Sequence, residues 1–366
     1  MKFREICLIV LFMAIAANRI TAGAQEADPS ILRQLAANTS FSGQWFLIYQ
    51  VHETGGEYFN EFTLRRGYIT FSKKFNDIFS VRFTQDITLD EEGTDAGNIE
   101  MRLKYCLVHI DNSFMPVLRN SWWEVGLINR PLYSFEDKVN DYRVQGSMFL
   151  DKYKVLSSAD FGISFTGLIG GEVNEEFQKN VSSSFPGLFG SYSFGVYNGG
   201  GYHAIEVNTN KTIEGRVTIR PLGNTLAGLQ LSYNFLRGKG NTEAMPDFHF
   251  NQLYLTWQSK PLIFAGQIYS GRGNGAGTFT AESGIPYYNK GYSLFGELKF
   301  LPSKFALISR FDHHNISADI PTECTSVIAG IAYRFAGNNK ILINTDIRNK
   351  NEIITRIYEA ALEIRF

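Results

Sequence analysis

From Phe79 to Leu89 the chain alternates. Phe79, Val81, Phe83 and Ile87 share one face of an extended strand, and Ser80, Arg82, Thr84, Asp86 and Thr88 share the other. The same two-residue period recurs along the chain. Ile99, Met101, Leu103, Tyr105 and Leu107 oppose Glu100, Arg102, Lys104 and Cys106, while Ile213, Gly215, Val217 and Ile219 oppose Thr212, Glu214, Arg216, Thr218 and Arg220. Val327, Ala329, Ile331, Tyr333 and Phe335 oppose Ser326, Ile328, Gly330 and Arg334, and Ile341, Ile343, Thr345 and Ile347 oppose Lys340, Asn344, Asp346 and Arg348. A helix would scatter these charges around its circumference, so the pattern predicts strands.

Strand-like runs fall near 43–51, 60–73, 77–89, 98–111, 120–129, 158–170, 187–197, 211–221, 226–236, 248–258, 261–271, 287–300, 303–313, 325–336, 339–348 and 352–366. One face is too charged for the core of a sandwich, and the other is too continuously apolar for water. Lipid outside and water inside satisfy both. The expected fold is all-β: a transmembrane antiparallel β-barrel of about 16 strands. Tight links at 336–339, 301–303, 259–261 and 221–225 alternate with long polar ones at 198–210, 237–247, 272–286 and 314–324. That places short turns in the periplasm and long loops outside. The link 171–186 is long on the short side, and 349–351 is short on the long side.

The last segment, "YEAALEIRF", allows two readings locally. A helix would align Ile354, Ile357, Tyr358, Ala361 and Leu362 but leave Ile364 and Phe366 off the stripe. A strand puts Tyr358, Ala360, Leu362, Ile364 and Phe366 together and Glu359, Ala361, Glu363 and Arg365 opposite. The strand reading makes Phe366 a terminal aromatic facing lipid at the periplasmic rim, of the kind outer-membrane assembly machinery reads as a signal.

Lys2 and Arg4, the apolar run Ile6–Ala17 and the small-residue site Ala22-Gly23-Ala24 read as a secretory signal peptide over 1–24. Residues 25–42 are expected as a short periplasmic segment, and 43–366 as the barrel. The mature chain keeps Cys106 and Cys324, expected as two unpaired buried thiols rather than a disulfide framework. Basic and acidic residues balance at 35 and 36, so nothing points to nucleic acid. With 18 Tyr, 30 Phe and 34 Gly and no long apolar helix, a closed barrel is the one route into a membrane.

Four ordered stretches carry a family resemblance: "FTLRRGYITFSKKFNDIFSVRFTQDIT" (62–88), "WWEVGLINRPLYSFEDK" (122–138), "SADFGISFTGLIGG" (158–171) and "YSFGVYNGGGY" (192–202). Together they resemble the phosphate-selective porin O and P family. The resemblance implies a trimeric sixteen-stranded barrel in the outer membrane of a Gram-negative bacterium, with its third loop, here near 130–157, folded into the lumen. In phosphate-specific members arginines line the path and lysines surround the constriction. Here the loop carries Arg130, Lys138, Arg143 and Lys152 but also Glu136, Asp137, Asp141 and Asp151.

Strand parity turns Arg82, Arg102, Lys104, Arg216 and Arg220 inward, together with one of Arg65 or Arg66. With Arg130, Lys138 and Arg143 these are the expected pore-lining, solute-binding residues, because a guanidinium presents a rigid fork to an oxyanion. The plainer alternative is that they pair with Asp86, Glu100, Glu124 and Glu214 and only hydrate the wall.

Other chemistry is weaker. "GRGNGAG" (271–277) lacks the following helix that a phosphate loop needs and reads as an outer loop. Adjacent His313 and His314 face opposite sides of a strand, and "DEEGTD" (90–95) reads as a solvated hairpin loop. None of the six histidines sits beside a nucleophile motif, so neither an enzyme nor a cofactor is expected. Two functions remain. One is a diffusion porin for small hydrophilic solutes with an anion, phosphate-like preference, embedded in outer-membrane lipid and lipopolysaccharide and assembled as a homotrimer. The other is a structural or adhesive barrel with a plugged lumen.

Overall fold

The structure, a computed structural model, describes residues 37–90, 96–118, 120–300, 302 and 304–366, and its compact unit spans Phe41–Phe366. Sixteen strands follow in chain order: β1 (Thr39–Thr54), β2 (Glu57–Lys74), β3 (Phe79–Leu89), β4 (Ile99–Asp111), β5 (Ser121–Asn129), β6 (Ala159–Ile169), β7 (Gly190–Tyr197) and β8 (Thr212–Ile219) form the first half. The second half is β9 (Leu229–Lys239), β10 (Asp247–Gln258), β11 (Leu262–Arg272), β12 (Tyr288–Phe300), β13 (Phe305–Ser317), β14 (Thr322–Arg334), β15 (Lys340–Lys350) and β16 (Ile353–Arg365). Each pairs with its sequence neighbours, and β1 closes the barrel on β16 with Gln44 opposite Arg365 and Tyr49 opposite Ala360. Closure leaves no edge strand, so the ladder itself satisfies the backbone. Among the described residues no helix is long and apolar enough to cross a membrane.

The alternation read from the sequence is realised as an inside and an outside. On β15, Lys340, Leu342, Asn344 and Asp346 are buried, whereas Ile341, Ile343 and Ile347 are exposed. β16 is a strand throughout, with Tyr358 outside and Glu359, Ala361 and Glu363 inside. The short-range helical stripe therefore lost to the ladder on both sides.

The sequence phase fails at one place. Between β3 and β4 the register shifts at Thr84/Gln85, where Thr84 faces Tyr105 and Gln85 faces Leu103, leaving Lys104 as the extra residue of a bulge. Beyond it Tyr105 and Leu107, expected on the lipid face, are buried inside, and Cys106 turns outward and is exposed. The expectation of two buried thiols is thus corrected: Cys106 is exposed and Cys324 half-buried, and both are free. On the other side of the bulged strand, Gly126 adopts φ 121°, where a Cβ would collide with the Cys106 carbonyl.

The connections differ from the expected ones where strands run on. β13 and β14 extend to Ser317 and from Thr322, so the link expected at 314–324 shrinks to 318–321, and that at 237–247 to 240–246. At 351–352 both Asn351 and Glu352 take positive φ, 49° and 71°, which is the tight hairpin geometry that matches strand twist. The strand expected from 43 begins at Thr39. The signal peptide and most of the 25–42 segment, and all of the acidic hairpin but Asp90, lie outside the described residues.

Candidate functional site

The link from β5 to β6 carries two helices, α1 (Pro131–Val139) and α2 (Phe149–Lys152). Pro131 pre-sets the first turn of α1, and Leu132, Phe135, Glu136 and Val139 make a buried stripe at helical spacing. That stripe packs on inward residues of the wall. Phe135 meets Tyr254 edge-on at 6.1 Å, and the surrounding cluster includes Ile263, Ala265, Phe295 and Ile308. Burying these rings against the wall drives the loop into the lumen.

Polar contacts then fix its path. The Tyr142 hydroxyl donates to Glu297 at 2.7 Å, and Asp141 accepts from Lys340 at 2.8 Å, Arg365 at 2.6 Å and Arg334 at 3.2 Å. Arg65 donates to the Val144 and Gln145 carbonyls at 2.8 and 2.9 Å and pairs with Glu359. On the return, Arg310 donates to the Ser147 carbonyl at 2.8 Å, and Lys152 pairs with Asp312 at 3.2 Å. Gly275 of the glycine-rich loop donates to Val155 at 3.0 Å, so that loop braces the inward segment instead of cradling a phosphate.

Between this loop and the β2–β4 wall lies a cavity of about 550 Å³, lined also by Ser42, Gln44 and Phe366 at the short-turn end. Five basic side chains face it, Arg82, Lys104, Lys138, Arg143 and Arg365, against two side-chain carboxylates, Asp137 and Asp141. Both carboxylates are engaged: Arg143 pairs with Asp137 at 3.0 Å, and Lys340 and Arg365 hold Asp141. Arg82 lies 4.4 Å over the Tyr105 ring and donates to Thr84 at 3.2 Å, while Lys138 is exposed. Tyr68, Thr70, Ser72 and Thr84 add hydroxyls. Tyr202, from the loop after β7, donates to Asp86 at 2.9 Å and places its ring 3.8 Å from the Lys104 ammonium.

Four of the nine residues expected on the pore lining therefore share this cavity: Arg82, Lys104, Lys138 and Arg143. Lys104 reaches it through the bulge and donates to Ser158 at 2.5 Å. Arg65 and Arg66 both reach lumenal partners, where the sequence required one of them: Arg66 pairs with Asp86 at 3.0 Å, and Arg65 anchors the loop. Arg102 is half-buried and pairs with Glu100 at 3.2 Å.

Arg130, Arg216 and Arg220 are elsewhere and fully buried. Arg130 pairs with Asp160 at 2.7 Å and with Glu214. Arg216 sits between the Phe135 and Phe185 rings at 4.8 and 4.6 Å and donates to the Pro131 carbonyl, Ser191 and Thr218. Arg220 donates to the Gly187 and Ala227 carbonyls. They pack the side of the lumen lined by β5–β9, into which the irregular 171–186 link inserts Phe185. That link carries α3 (Glu175–Asn180) and wedges Phe185 against Trp122 and Phe135. Fully buried against carboxylates, carbonyls and rings, these arginines are withdrawn from the open cavity.

Burial and charge tune the loop. Burial pushes the Glu136 carboxyl up to about 7, although Gln267 donates to it at 2.6 Å. At Asp141 burial opposes ionisation, yet Lys340 and Arg365 hold the carboxyl well below the usual range. His314 is buried and stacks on Tyr153 at 4.8 Å, whereas His313 faces out to Glu323 at 2.9 Å. Among the described residues no group of three His, Cys, Asp or Glu could hold a metal.

No protein-family model and no curated protein matches the sequence. Solved structures do. An anion-selective porin from Comamonas acidovorans aligns at TM-score 0.62 and 9% identity, covering 90% of this chain and all (100%) of that one. OmpF of Salmonella typhi in complex with daunomycin aligns at TM-score 0.62 and 9% identity, covering 90% and 97%. OmpT, an outer membrane protein of Vibrio cholerae in its trimer form, aligns at TM-score 0.58 and 10% identity, covering 89% and 99%. The fold is that of outer-membrane porins.

Proposed function

We propose that this chain is an outer-membrane porin through which small hydrophilic solutes diffuse unaltered, with a preference for anions of phosphate-like charge. The carrying observation is the cavity between the inward loop and the β2–β4 wall, where five basic side chains face two engaged side-chain carboxylates. Uncompensated positive charge in a narrow aqueous passage raises the local concentration of anions and lowers that of cations. No carboxylate lies within ion-pair distance of Arg82 or Lys138 among the described residues, and these two supply the open charge. The ordered resemblance to the phosphate-selective porin O and P family supports the same reading. The trimeric state of the Vibrio neighbour supports a homotrimer. The signal peptide at 1–24 belongs to the proposal, and the mature chain should begin at Gln25.

The test is single-channel recording of the refolded chain in planar bilayers, followed by reversal potentials in asymmetric potassium chloride. Stepwise currents and a chloride-favouring reversal potential are expected. Folded protein without steps sinks the channel, and a cation-favouring potential sinks the preference. The second reading, a plugged structural barrel, is favoured by one observation: Phe185 packs on Phe135 inside the β5–β9 side of the lumen. The same recording decides, since a plug on both sides carries no current.

A further inference from the structure

The outward face of β9–β12 changes character in steps toward the long-loop end. Leu231, Leu255, Gly266 and Leu294 are aligned across the four strands, and one step farther come Tyr233, Leu253, Ile268 and Tyr292. The next row is Phe235, Asn251, Ser270 and Lys290, and the last is Arg237, His249, Arg272 and Tyr288. Two residues of strand advance about 7 Å, so aliphatic surface gives way to tyrosine and then to cation over about 20 Å. That is the profile of a lipid's acyl chains, glycerol-level or sugar-level hydroxyls and phosphate.

The surface is also shaped. A groove of about 630 Å³ runs between Tyr233, Leu253, Ile268, Tyr288, Lys290 and Tyr292. Its rim is prepared for an anion. The Arg237 guanidinium is braced on the Phe250 carbonyl and Asn251 at 2.9 Å each, and Asn251 accepts from the Tyr233 hydroxyl at 2.7 Å. Arg237, Arg272 and Lys290 are exposed; the acid at this rim, Asp247, is taken by Lys239 at 2.5 Å. Elsewhere on the outward face charges are matched instead, His313 on β13 with Glu323 on β14 and Arg356 on β16 with Glu53 on β1, both at 2.9 Å.

We propose that the groove on β9–β12 is a binding site for a phosphorylated outer-leaflet lipid of the lipid A type, its acyl chain against Leu253 and Ile268 and a phosphate on Arg237, Arg272 and Lys290. Charge complementarity selects this occupant over a second copy stacked across a two-fold axis, because setting this rim against itself would bury its three cations without a counter-charge. Two guanidiniums on β9 and β11 and an ammonium on β12 offer bidentate and point-charge contacts to phosphate groups along the rim. The site does not depend on conduction, since its residues face away from the lumen.

The full chain, refolded in detergent, would be mixed with lipid A carrying both phosphates or with the same lipid dephosphorylated, and retention read by native mass spectrometry. Heat-modifiable gel migration checks folding of every variant. The wild type should retain the phosphorylated lipid at least about tenfold better than the dephosphorylated one. The triple variant R237Q/R272Q/K290Q should lose that preference, while K350Q on β15 keeps it. Equal retention of both lipids by the wild type, an undiminished preference in the triple variant, or Ser270→Cys cross-linking between copies whose Cys106 and Cys324 are replaced by serine would each overturn the site. Loss of conductance with lipid retention intact would refute the porin reading alone.

Discussion

Lys340, the first residue of β15, and Asp141, in the inward loop, form a 2.8 Å ion pair, and the same ammonium donates to the Asp141 backbone carbonyl at 2.5 Å. The lysine is fully buried and also meets Glu363 at 3.1 Å. One wall side chain thus grips both the backbone and the side chain of the loop tip.

Removing that grip should free the tip while leaving the barrel closed. Breaking a buried pair from one side costs about 3–5 kcal/mol, but Arg365 and Arg334 remain on Asp141, so about 2 kcal/mol is expected for Lys340→Met. Heat-modifiable gels should show unfolding at lower temperature, and single-channel records should gain noise. A quiet channel of unchanged conductance would show that the tip is held without Lys340.

Selectivity should respond to Arg82 more than to Arg216. Neutralising a charge about 4 Å from a passing ion in water changes its energy by about 1 kcal/mol, or about fivefold in relative permeability. Arg82→Gln should therefore move the reversal potential toward cations by about that ratio. Arg216→Gln, buried between two rings, should lower the yield of folded protein instead. Equal shifts from the two would contradict the division of the lumen.

The pH dependence follows from Glu136. Its carboxyl titrates at about 7 in the folded chain against an ordinary 4.5, so the folded state binds more protons between those values. Stability therefore falls as pH rises from about 4.5 to 7. Asp141, held low, contributes in the opposite sense and only below the ordinary carboxylate range. Thermal unfolding at pH 5 and pH 8 should show the wild type losing more stability than Glu136→Gln, and parallel losses would exclude burial of this carboxyl as the cause.

The Phe366 backbone exchanges hydrogen bonds with Gly43 at 2.8 and 3.1 Å, and its ring lies where a Gly43 side chain would stand. Phe366→Asp should reduce the amount of folded barrel in membranes far more than the conductance of molecules that do assemble. Gly43→Val should do likewise by displacing the ring. Normal levels of either variant would separate this contact from assembly.

How much of this was legible in the chain follows from the range of each interaction. Alternation is local, so each strand, the chain-end competition between helix and strand, and the opposite facing of His313 and His314 could be read from neighbours two residues apart. The bulge at Lys104 could not: it is set by β3 and moves Tyr105 and Leu107 across the wall without any mark in their own alternation. Arg65 and Arg66 show the same limit, since parity admitted one and both found lumenal partners.

The sequence by itself determined that the chain forms a barrel with a lipid face and a charged lumen, because a strict two-residue period with charges on one side has no other stable solution in a membrane. Which of the inward charges are open was decided only by the tertiary structure. Arg82 and Arg216 look alike on their strands, but the first faces a cavity and the second lies under Phe135 and Phe185, brought there by segments distant in sequence. Parity fixes the side of the wall a residue faces, and only the packing of the loops fixes what it meets there.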